Sequence, residues 1–554
     1  MKKKRNWNKL TAFFLSLSMV VISLAACGGK EQAAETTSNS REGTSKTESS
    51  TGENGDKGLA ITYPLKTDET LKIAIFYESP WAATYDNFAD TPYAKALQER
   101  TGVRIEYQTM ADDSAMNLLF ASGELPDIIQ FNAGSYSGGS QKAIQDGIIY
   151  PLNDIIEANA PDMLAVLQSD ADYLKSSMTA NGDYIGFPFI RGDKILRTSI
   201  GLMIRDDWCR ELGIEIPETV DDFYEMLKLF KEEKGASVPL STTMDRFNQM
   251  VNLGLITSGF GLPKASSYQK DGKVYFGFAQ PEYKQVLEYL NKLYTEGLLD
   301  QNFSTLDSNT ANANIMNGQS GVTVGALSGG LGNYLRTMEG KGEYSLAGIR
   351  SLVANKGDKP MCGHVDNAVM GIFGIITPNC KNKELAAQFL NYSYTEEGKL
   401  FHNFGIEGES YTMVDNKPVY TELITHNPDG LTMQQALSAY TRSWNVGWFV
   451  QDPEYIRQYA ALPQQQAALK NWTDNDASSY LIPPVTINND DASEYTTILS
   501  DINTYKDEMT VKYVMGVEPL SSFESKYIKT LKSMGIDRAA EIQQNAMEEY
   551  NSRK

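Results

Sequence analysis

The residues of this sequence that could do chemistry are aromatic side chains that stand near carboxylates, amides and guanidinium groups. An aromatic ring can stack on an apolar face of a ligand, while charged or amide groups hold its polar groups through paired hydrogen bonds. This combination favours the binding of a small molecule over its chemical conversion. The candidate binding residues are Tyr77, Glu78, Trp81, Tyr85, Asn132, Tyr136, Arg191, Arg205, Asp366, Trp444 and Trp448.

Some of these candidates have a structural interpretation beside the functional one. Trp81 either lines a cleft or packs on the surface of a lobe. Arg191 either contacts a ligand or belongs to a structural ion pair, and Asp193 stands close to it in the sequence. Trp444 and Trp448 would share one face of a helix if their segment is helical, because they are four residues apart. They would then form either a stacking platform or a packed pair.

Motifs of well-known enzyme classes are missing from the sequence. It contains no GxSxG elbow, no P-loop and no GxGxxG run. The three histidines, His364, His402 and His426, lack the spacing of a metal site such as HExxH. Carboxylates are abundant, so a glycosidase pair of acids stays open as an alternative. The sequence therefore predicts a protein without catalytic residues, without a bound metal and without a cofactor.

The elements that must position these residues alternate between strands and helices. Strands are predicted at 70–76, 103–107, 127–131, 199–204, 321–325 and 371–377. Helices are predicted at 93–102, 217–235, 281–296 and 383–394. The first two strands and the helix between them have the βαβ pattern of a parallel sheet. The alternation predicts α/β architecture, in which ligands usually lie at the carboxyl ends of the strands.

The first residues of the chain indicate export. A basic leader precedes an apolar stretch at 11–26, which is short for a membrane span. This pattern is typical of a secretory signal that is removed, and a retained membrane anchor is the alternative. Leu24-Ala25-Ala26-Cys27 resembles the lipobox of bacterial lipoproteins. That resemblance implies a signal peptide at 1–26 and acyl chains such as palmitate on the protein that begins at Cys27.

The composition divides the remainder into a tether and a large folded body. Residues 27–58 are predicted to be a lipidated, disordered tether, because their small and polar side chains cannot offset the chain entropy. About 495 residues follow, too many for one hydrophobic core, so at least two lobes are expected. The formal net charge is −20, which argues against binding to nucleic acid. The cysteines other than Cys27 leave no complete disulfide framework.

Several segments together resemble one protein family. The segments 121–129 (ASGELPDII), 202–213 (LMIRDDWCRELG) and 216–223 (IPETVDDF) resemble sugar-type extracellular solute-binding proteins of ABC importers. Similarity to the larger, lipoprotein branch of that family is carried by 271–274, 282–284, 293–300, 404–413 and 515–520. The order and spacing of these segments, which run from about residue 68 to 550, are the basis of the resemblance.

The resemblance implies a two-lobe α/β clamp of the periplasmic-binding-protein-like type II, with a hinge between the lobes. Lobe one would comprise 59–187 and 372–435, and lobe two would comprise 188–371 and 436–554. The protein would be a monomer, lipid-anchored on the extracellular face of the cell membrane. It would capture an oligosaccharide and deliver it to the permease subunits of an ABC transporter. A secreted glycoside hydrolase and a peptide-binding importer subunit are the alternatives.

Overall fold

The computed structural model describes residues 60–553 of the chain. The predicted signal peptide, the lipidation site Cys27 and the predicted tether lie outside these residues. Within the described range, every helix is too short or too polar to span a membrane.

The strands of the described region form four sheets, and all six predicted strands are present among them. The strands are β1 (Thr70–Phe76), β2 (Arg104–Met110), β3 (Ile128–Asn132), β4 (Phe187–Ile190), β5 (Ile200–Ile204), β6 (Ser267–Lys270), β7 (Lys273–Phe276), β8 (Val322–Ala326), β9 (Ala347–Ile349), β10 (Val369–Ile376), β11 (Tyr411–Val414) and β12 (Lys417–Tyr420).

The helices of the described region include the four that the sequence predicts, as α2, α9, α11 and α14 below. They are α1 (Ser79–Ala82), α2 (Pro92–Thr101), α3 (Asp113–Ser122), α4 (Gly139–Gln145), α5 (Asn153–Asn159), α6 (Pro161–Gln168), α7 (Ala171–Ser176), α8 (Asp206–Leu212), α9 (Val220–Glu232), α10 (Met244–Asn252), α11 (Glu282–Thr295), α12 (Ser308–Met316), α13 (Asn333–Met338), α14 (Lys383–Asn391), α15 (Glu396–Phe404), α16 (Glu422–Thr425), α17 (Met433–Tyr440), α18 (Pro453–Tyr459), α19 (Pro463–Thr473), α20 (Asn489–Val514), α21 (Lys529–Ser533) and α22 (Ile536–Ser552).

Helix α9 shows how local sequence sets the bounds of an element. The Thr219 hydroxyl accepts a hydrogen bond from the Asp222 N–H at 3.0 Å, and the Asp222 carboxylate accepts one from the Thr219 N–H at 3.2 Å. This capping box satisfies two N–H groups at the start of the helix. Side chains at helical spacing then bury one face of α9, namely Phe223, Met226, Leu227 and Phe230.

The two larger sheets differ in strand direction. One has the order β2-β1-β3-β10-β4, in which β1 is parallel to β2 and β3, and β10 is antiparallel to β3 and β4. The other has the order β8-β5-β9 and is antiparallel throughout. The predicted parallel βαβ unit is therefore confirmed for β1 and β2. The hairpins β6–β7 and β11–β12 form the small sheets.

Each of the larger sheets has its own hydrophobic core. The core around the five-stranded sheet draws on 71–190 and 369–401, together with Trp448. We call this half lobe A. The core around the three-stranded sheet draws on 202–352 and 502–539, and we call this half lobe B. Because the segments of the two cores interleave in the sequence, the chain passes between the lobes several times.

Three chain segments run side by side between the two cores: 190–199, 364–369 and 449–452. The N–H of Arg191 donates to the Ala368 carbonyl at 2.8 Å, and the N–H of Asp366 donates to the Arg197 carbonyl at 2.9 Å. The third segment joins them because the Gln451 N–H donates to the Ile190 carbonyl at 2.8 Å. We call these three segments the connector, since they carry the chain from one lobe to the other.

A second contact between the lobes lies at the end of α22. The Arg553 guanidinium of lobe B donates to the carbonyls of Lys175 and Met178 at 2.9 and 2.7 Å, at the C-terminal end of α7 in lobe A. The hydroxyls of Tyr550 and Ser176 lie 2.8 Å apart. Because carbonyls at a helix end lack partners within the helix, a guanidinium is a suitable donor for them. We call this contact the clasp.

Arg553→Ala should move the lobes apart in the ligand-free protein. The change removes two charge-assisted hydrogen bonds that span the lobes, each of which contributes about 1.5–3 kcal/mol. Small-angle X-ray scattering should then give a larger radius of gyration than for the unchanged protein. Lys529→Ala is the control, since it removes the same charge from an exposed position of lobe B. Equal radii for the two variants would contradict this role of the clasp.

Candidate functional site

Loops that carry candidate residues meet at one edge of the five-stranded sheet. Tyr77 directly follows β1, and Asn132 ends β3, which runs parallel to β1. Parallel strands place their carboxyl ends at the same edge. The antiparallel strand β10 enters at this edge, where Ile372 pairs with Asn132.

Two cavities open on either side of the β3–β10 pair. The first, which we call the Tyr77 cavity, has a volume of about 510 Å³. Its wall includes Tyr77, Glu78, Asp113, Gln130, Asn132, Ile372, Gln434, Trp444 and Asn445. It therefore combines the rings of Tyr77 and Trp444 with amide and carboxylate groups, as expected for a site that binds a polar ligand with apolar faces.

The second cavity, which we call the Tyr136 cavity, has a volume of about 460 Å³ and lies between the lobes. Lobe A contributes Ala133, Tyr136 and Gly371, while helix α20 of lobe B contributes Tyr495 and Thr496. The Ala133 N–H donates to the Gly371 carbonyl at 2.9 Å, one residue beyond the Asn132–Ile372 pair that lines the Tyr77 cavity. We call the two adjacent cavities together the groove.

Glu78 lies at the wall of the Tyr77 cavity, but its carboxylate is held by the protein. The Arg442 guanidinium donates to both carboxylate oxygens, at 2.9 and 2.6 Å, and the Asn445 amide also donates to it. The side chains of Glu78 and Arg442 are 5% and 7% exposed. Burial opposes the charge of Arg442, but the attraction of Glu78 outweighs it and raises the pKa of Arg442. This buried pair anchors the loop that presents Tyr77.

Trp81 and Tyr85 lie behind the groove. Trp81 is 2% exposed and packs edge-on against Phe88, with ring centroids 5.6 Å apart. The ring of Tyr77, which is 49% exposed, contacts Trp81 edge-on at 5.4 Å. Tyr85 is half-buried against the core of lobe A, and burial raises the pKa of its phenol. Trp81 therefore supports Tyr77 and is itself part of the core.

Asn132 and Tyr136 lie in the loop after β3 and face different cavities. The Asn132 amide donates to the Ser135 hydroxyl at 2.8 Å, which fixes the turn beside the Tyr77 cavity. Tyr136 lines the other cavity, and its hydroxyl donates to the Asp146 carboxylate at 2.9 Å. Burial, together with the hydrogen bond to Asp146, raises the pKa of Tyr136 to about 12.

Arg191 and Asp366 belong to the connector. The Arg191 guanidinium lies 3.9 Å from the Asp366 carboxylate and 5.2 Å above the Phe189 ring. Burial lowers the pKa of Arg191, and Asp366 partly offsets this effect. Asp366 also lines the Tyr136 cavity. Asp193 has a local role instead, since its carboxylate accepts a hydrogen bond from the Ile195 N–H at 2.9 Å.

Arg205 lies in lobe B, outside the groove. Its Nε donates to both carboxylate oxygens of Asp207, at 2.8 and 3.1 Å. The guanidinium lies between the rings of Trp208 and Tyr344, at 4.5 and 4.4 Å from their centroids. The Arg205 side chain is thus held by other residues of its own chain.

Trp444 and Trp448 do not share a helical face, because their segment is a series of turns that lies outside the helices. Trp444 lines the Tyr77 cavity, and its indole N–H has no partner among the described residues. Trp448 is 9% exposed and belongs to the core of lobe A, where it packs closely on Gly374. Just after Trp448, the chain is held by backbone hydrogen bonds between Phe449, Gln451 and Ile190, which are contacts outside a helix.

Several residues of the groove were not predicted from the sequence. Asp113 and Gln130 line the Tyr77 cavity from lobe A, and Asn445 lines it from a long loop. Asp113 could have been found by applying the strand-end rule to β2. Tyr495 and Thr496 belong to α20, a helix that we did not predict. No group of three or more His, Cys, Asp or Glu residues in the described range could hold a metal ion.

Glu78→Ala is expected to lower the free energy of unfolding by about 3–5 kcal/mol, because it leaves the Arg442 guanidinium buried without a counter-charge. Denaturant titration followed by tryptophan fluorescence measures this loss. Glu124→Ala removes a carboxylate from an exposed loop of the same lobe and should change stability by no more than about 0.5 kcal/mol. A Glu78→Ala effect as small as that of the control would contradict the structural role of the pair.

His402 should make the protein less stable in mild acid. Burial, with a smaller contribution from Arg442, lowers the pKa of His402 from 6.5 to about 3. The unfolded chain takes up a proton near pH 6.5, so stability that is complete above this pH is lost as the pH falls towards 3. The loss should reach about 2 kcal/mol at pH 5.

Unfolding titrations at pH 7 and pH 5 would measure this effect. The difference in unfolding free energy between the two pH values should shrink in His402→Gln and stay the same in His426→Gln, because His426 is exposed. An unchanged difference in His402→Gln would refute the prediction.

Proteins with sequences similar to that of this chain include a lipoprotein and a substrate-binding protein. Lipoprotein LipO of Bacillus subtilis is 28% identical over 367 residues, which cover 64% of this chain and 70% of LipO. The fructooligosaccharide ABC transporter substrate-binding protein FusA of Streptococcus pneumoniae is 28% identical over 309 residues. That match covers 52% of this chain and 52% of FusA, so it spans about half of the relative.

Solved structures share the fold of the described region. The complex of FusA with kestose has a TM-score of 0.68 at 20% identity, covering 88% of this chain and 100% of FusA. An HMO-binding, ABC-transporter-associated solute-binding protein from Bifidobacterium longum infantis has a TM-score of 0.70 at 19% identity, covering 87% and 99% of the two chains. These similarities confirm the predicted two-lobe, periplasmic-binding-protein-like α/β fold.

A family match decides the classification. Residues 82–400, more than half of the chain, match the family described as bacterial extracellular solute-binding protein. The match includes the loops after β3 and β10 and the connector segments that precede residue 400. The chain therefore belongs to the family of bacterial extracellular solute-binding proteins.

Proposed function

We propose that this protein captures an oligosaccharide in the groove and delivers it to the permease of an ABC importer. The observation that carries the proposal is the Tyr77 cavity, where the rings of Tyr77 and Trp444 stand among amide and carboxylate groups. Sugar rings have apolar C–H faces on which Tyr77 and Trp444 would stack, and hydroxyls that the polar groups would bind.

The size of the two cavities suits an oligosaccharide. Cavities of about 510 and 460 Å³ lie on either side of one strand pair, within the usual range for small-molecule sites. At the Tyr77 cavity, the Gln130 side-chain oxygen and the Trp444 indole N–H have no partner among the described residues. Both atoms are buried, so they are polar groups at the cavity wall that the described chain leaves without a partner.

The descriptions of the relatives support the same class of ligand. FusA is described as a fructooligosaccharide-binding component of an ABC transporter, and its solved complex contains kestose. The structural relative from Bifidobacterium longum infantis is described as HMO-binding. We infer from these descriptions and from the groove that this chain binds an oligosaccharide, without inferring which one.

Capture would work by closure of the lobes. The Tyr136 cavity is lined by both lobes, so a ligand there contacts both of them only when the lobes are close together. Such a ligand shifts the equilibrium towards the closed form. The connector would be the hinge, and the clasp would add to the stability of the closed form.

We also propose that the protein acts outside the cell as a lipid-anchored monomer. The signal peptide at 1–26, the acylated Cys27 and the tether at 27–58 would hold the body near its permease. The lobes would comprise 59–187 with 372–435, and 188–371 with 436–554; the interleaved cores support this division except at Ile190, Val369 and Trp448, which pack in the core of lobe A. LipO is described as a lipoprotein, which agrees with anchoring.

The hydrogen bonds that engage the Glu78 carboxylate favour binding without catalysis. A glycosidase needs two available carboxyl groups on either side of the scissile bond. In the Tyr77 cavity, Glu78 is fully engaged by Arg442 and Asn445, which leaves Asp113 as the available carboxylate among the lining residues. We therefore assign no catalytic residue.

A thermal-shift screen of the purified protein against oligosaccharides, monosaccharides and peptides tests the proposal. A ligand at 100 times its Kd should add about 2.7 kcal/mol of apparent stability. A shift with an oligosaccharide that chromatography recovers intact supports capture. Shorter products would indicate a hydrolase, and a shift with peptides alone would overturn the sugar assignment.

Tyr77→Ala and Trp444→Ala should each weaken binding of the sugar found in that screen by about tenfold, because each removes a stacking surface worth about 1–1.5 kcal/mol. Isothermal titration calorimetry measures the Kd. Tyr224→Ala, which removes a half-buried ring from the surface of lobe B, should leave the Kd unchanged. Unchanged affinity in both groove variants would place the sugar elsewhere.

A further inference from the structure

The charged side chains that line the groove are all negative. Among the described residues, the charged groups at the walls of the two cavities are the carboxylates of Glu78, Asp113 and Asp366. Glu78 is neutralised by Arg442, whereas Asp113 is exposed and accepts one hydrogen bond, from the Ser135 hydroxyl at 3.0 Å. Asp366 is 32% exposed at the wall of the Tyr136 cavity, and the side chains of Arg191 and His364 lie 3.9 and 3.6 Å from its carboxylate, beyond hydrogen-bond distance.

The two arginines predicted as ligand contacts, Arg191 and Arg205, and the Arg442 that pairs with Glu78 all face carboxylates of the chain itself. Arg442 is engaged by Glu78, and Arg205 is engaged by Asp207. Arg191 faces Asp366 at 3.9 Å and does not belong to the wall of either cavity. None of these guanidinium groups lines either cavity, so a carboxylate on a ligand in the groove would meet no cationic side chain among the lining residues.

The net charge of the whole protein is negative as well. The formal net charge of −20 produces a negative potential that disfavours the approach of polyanions. Inside a cleft with low-dielectric walls, two like charges a few ångströms apart repel more strongly than in water. Neutral hydroxyls do not experience this repulsion, and protonated amines are attracted.

We infer that the groove selects uncharged or amino-substituted oligosaccharides and rejects oligosaccharides of uronic acids. The inference rests on the proposed function and narrows its ligand class. Asp113 and Asp366 are the residues that set the preference, one at each cavity. Their carboxylates would accept hydrogen bonds from ligand hydroxyls and repel ligand carboxylates.

The test compares sugars that differ only in oxidation of the C6 hydroxymethyl group. Tetrasaccharides of galactose and galacturonate, of mannose and mannuronate, and of glucose and glucuronate are matched pairs, and a tetrasaccharide of glucosamine adds a cationic probe. Isothermal titration calorimetry with the full protein at low salt should give at least tenfold tighter binding for the uncharged or cationic probes than for the uronates.

The outcomes separate the inference from the proposed function. Uronate binding as tight as that of its neutral partner overturns the inference and leaves sugar capture standing. Absence of binding by every sugar, including the panel of the thermal-shift screen, overturns both. Tighter binding of the neutral or cationic sugars than of the uronates supports both the inference and the proposed function.

Variants identify the source of the preference. Asp113→Asn combined with Asp366→Asn should reduce the ratio of neutral to uronate affinity at least fivefold, because each change removes a repelling charge and keeps the side-chain shape. Asp154→Asn, an exposed position of lobe A outside the groove, should keep the ratio of the unchanged protein. An unchanged ratio in the double variant would remove these two residues from the explanation.

Discussion

The antiparallel pairing of β10 with β3 and β4 is the constraint on which the rest of the described structure depends. β10 enters the sheet between two strands of lobe A, so the chain must return from lobe B through residues 364–369. That return forms part of the connector, and it brings Gly371 and Ile372 to the carboxyl end of β3. Both cavities of the groove open there. One backbone ladder thus positions both the binding residues and the connection between the lobes.

The elements of this ladder were predictable because their signals are local. β1 was predicted with its observed bounds, since a run of alternating and β-branched residues stands between polar turns. The capping box at Thr219 and Asp222 marks the start of α9 within four residues of sequence. The rule that ligands lie at carboxyl ends of parallel strands then led to Tyr77 and Asn132, which the structure brings to the Tyr77 cavity.

What could not be predicted depends on partners that are distant in the sequence. Glu78 and Arg442 are 364 residues apart, and nothing near either residue indicates that they pair. Local spacing suggested one helical face for Trp444 and Trp448, but the segment bends to meet Ile190 and places one ring at the cavity and the other in the core. Residue types were thus informative about chemistry, while tertiary contacts decided which side chains remain available.

The strand order also determines when the strands of the five-stranded sheet can pair. β3 and β4 precede the whole of the lobe B sheet in the sequence, yet the strand that joins them follows it. Until β10 has been synthesised, β3 has one unpaired edge and β4 has no partner in the sheet, and unpaired edges invite association with other chains. Pairings between distant segments also form slowly. The five-stranded sheet therefore cannot be completed until β10 has been synthesised. Folding of this sheet consequently lags behind the synthesis of its first strands.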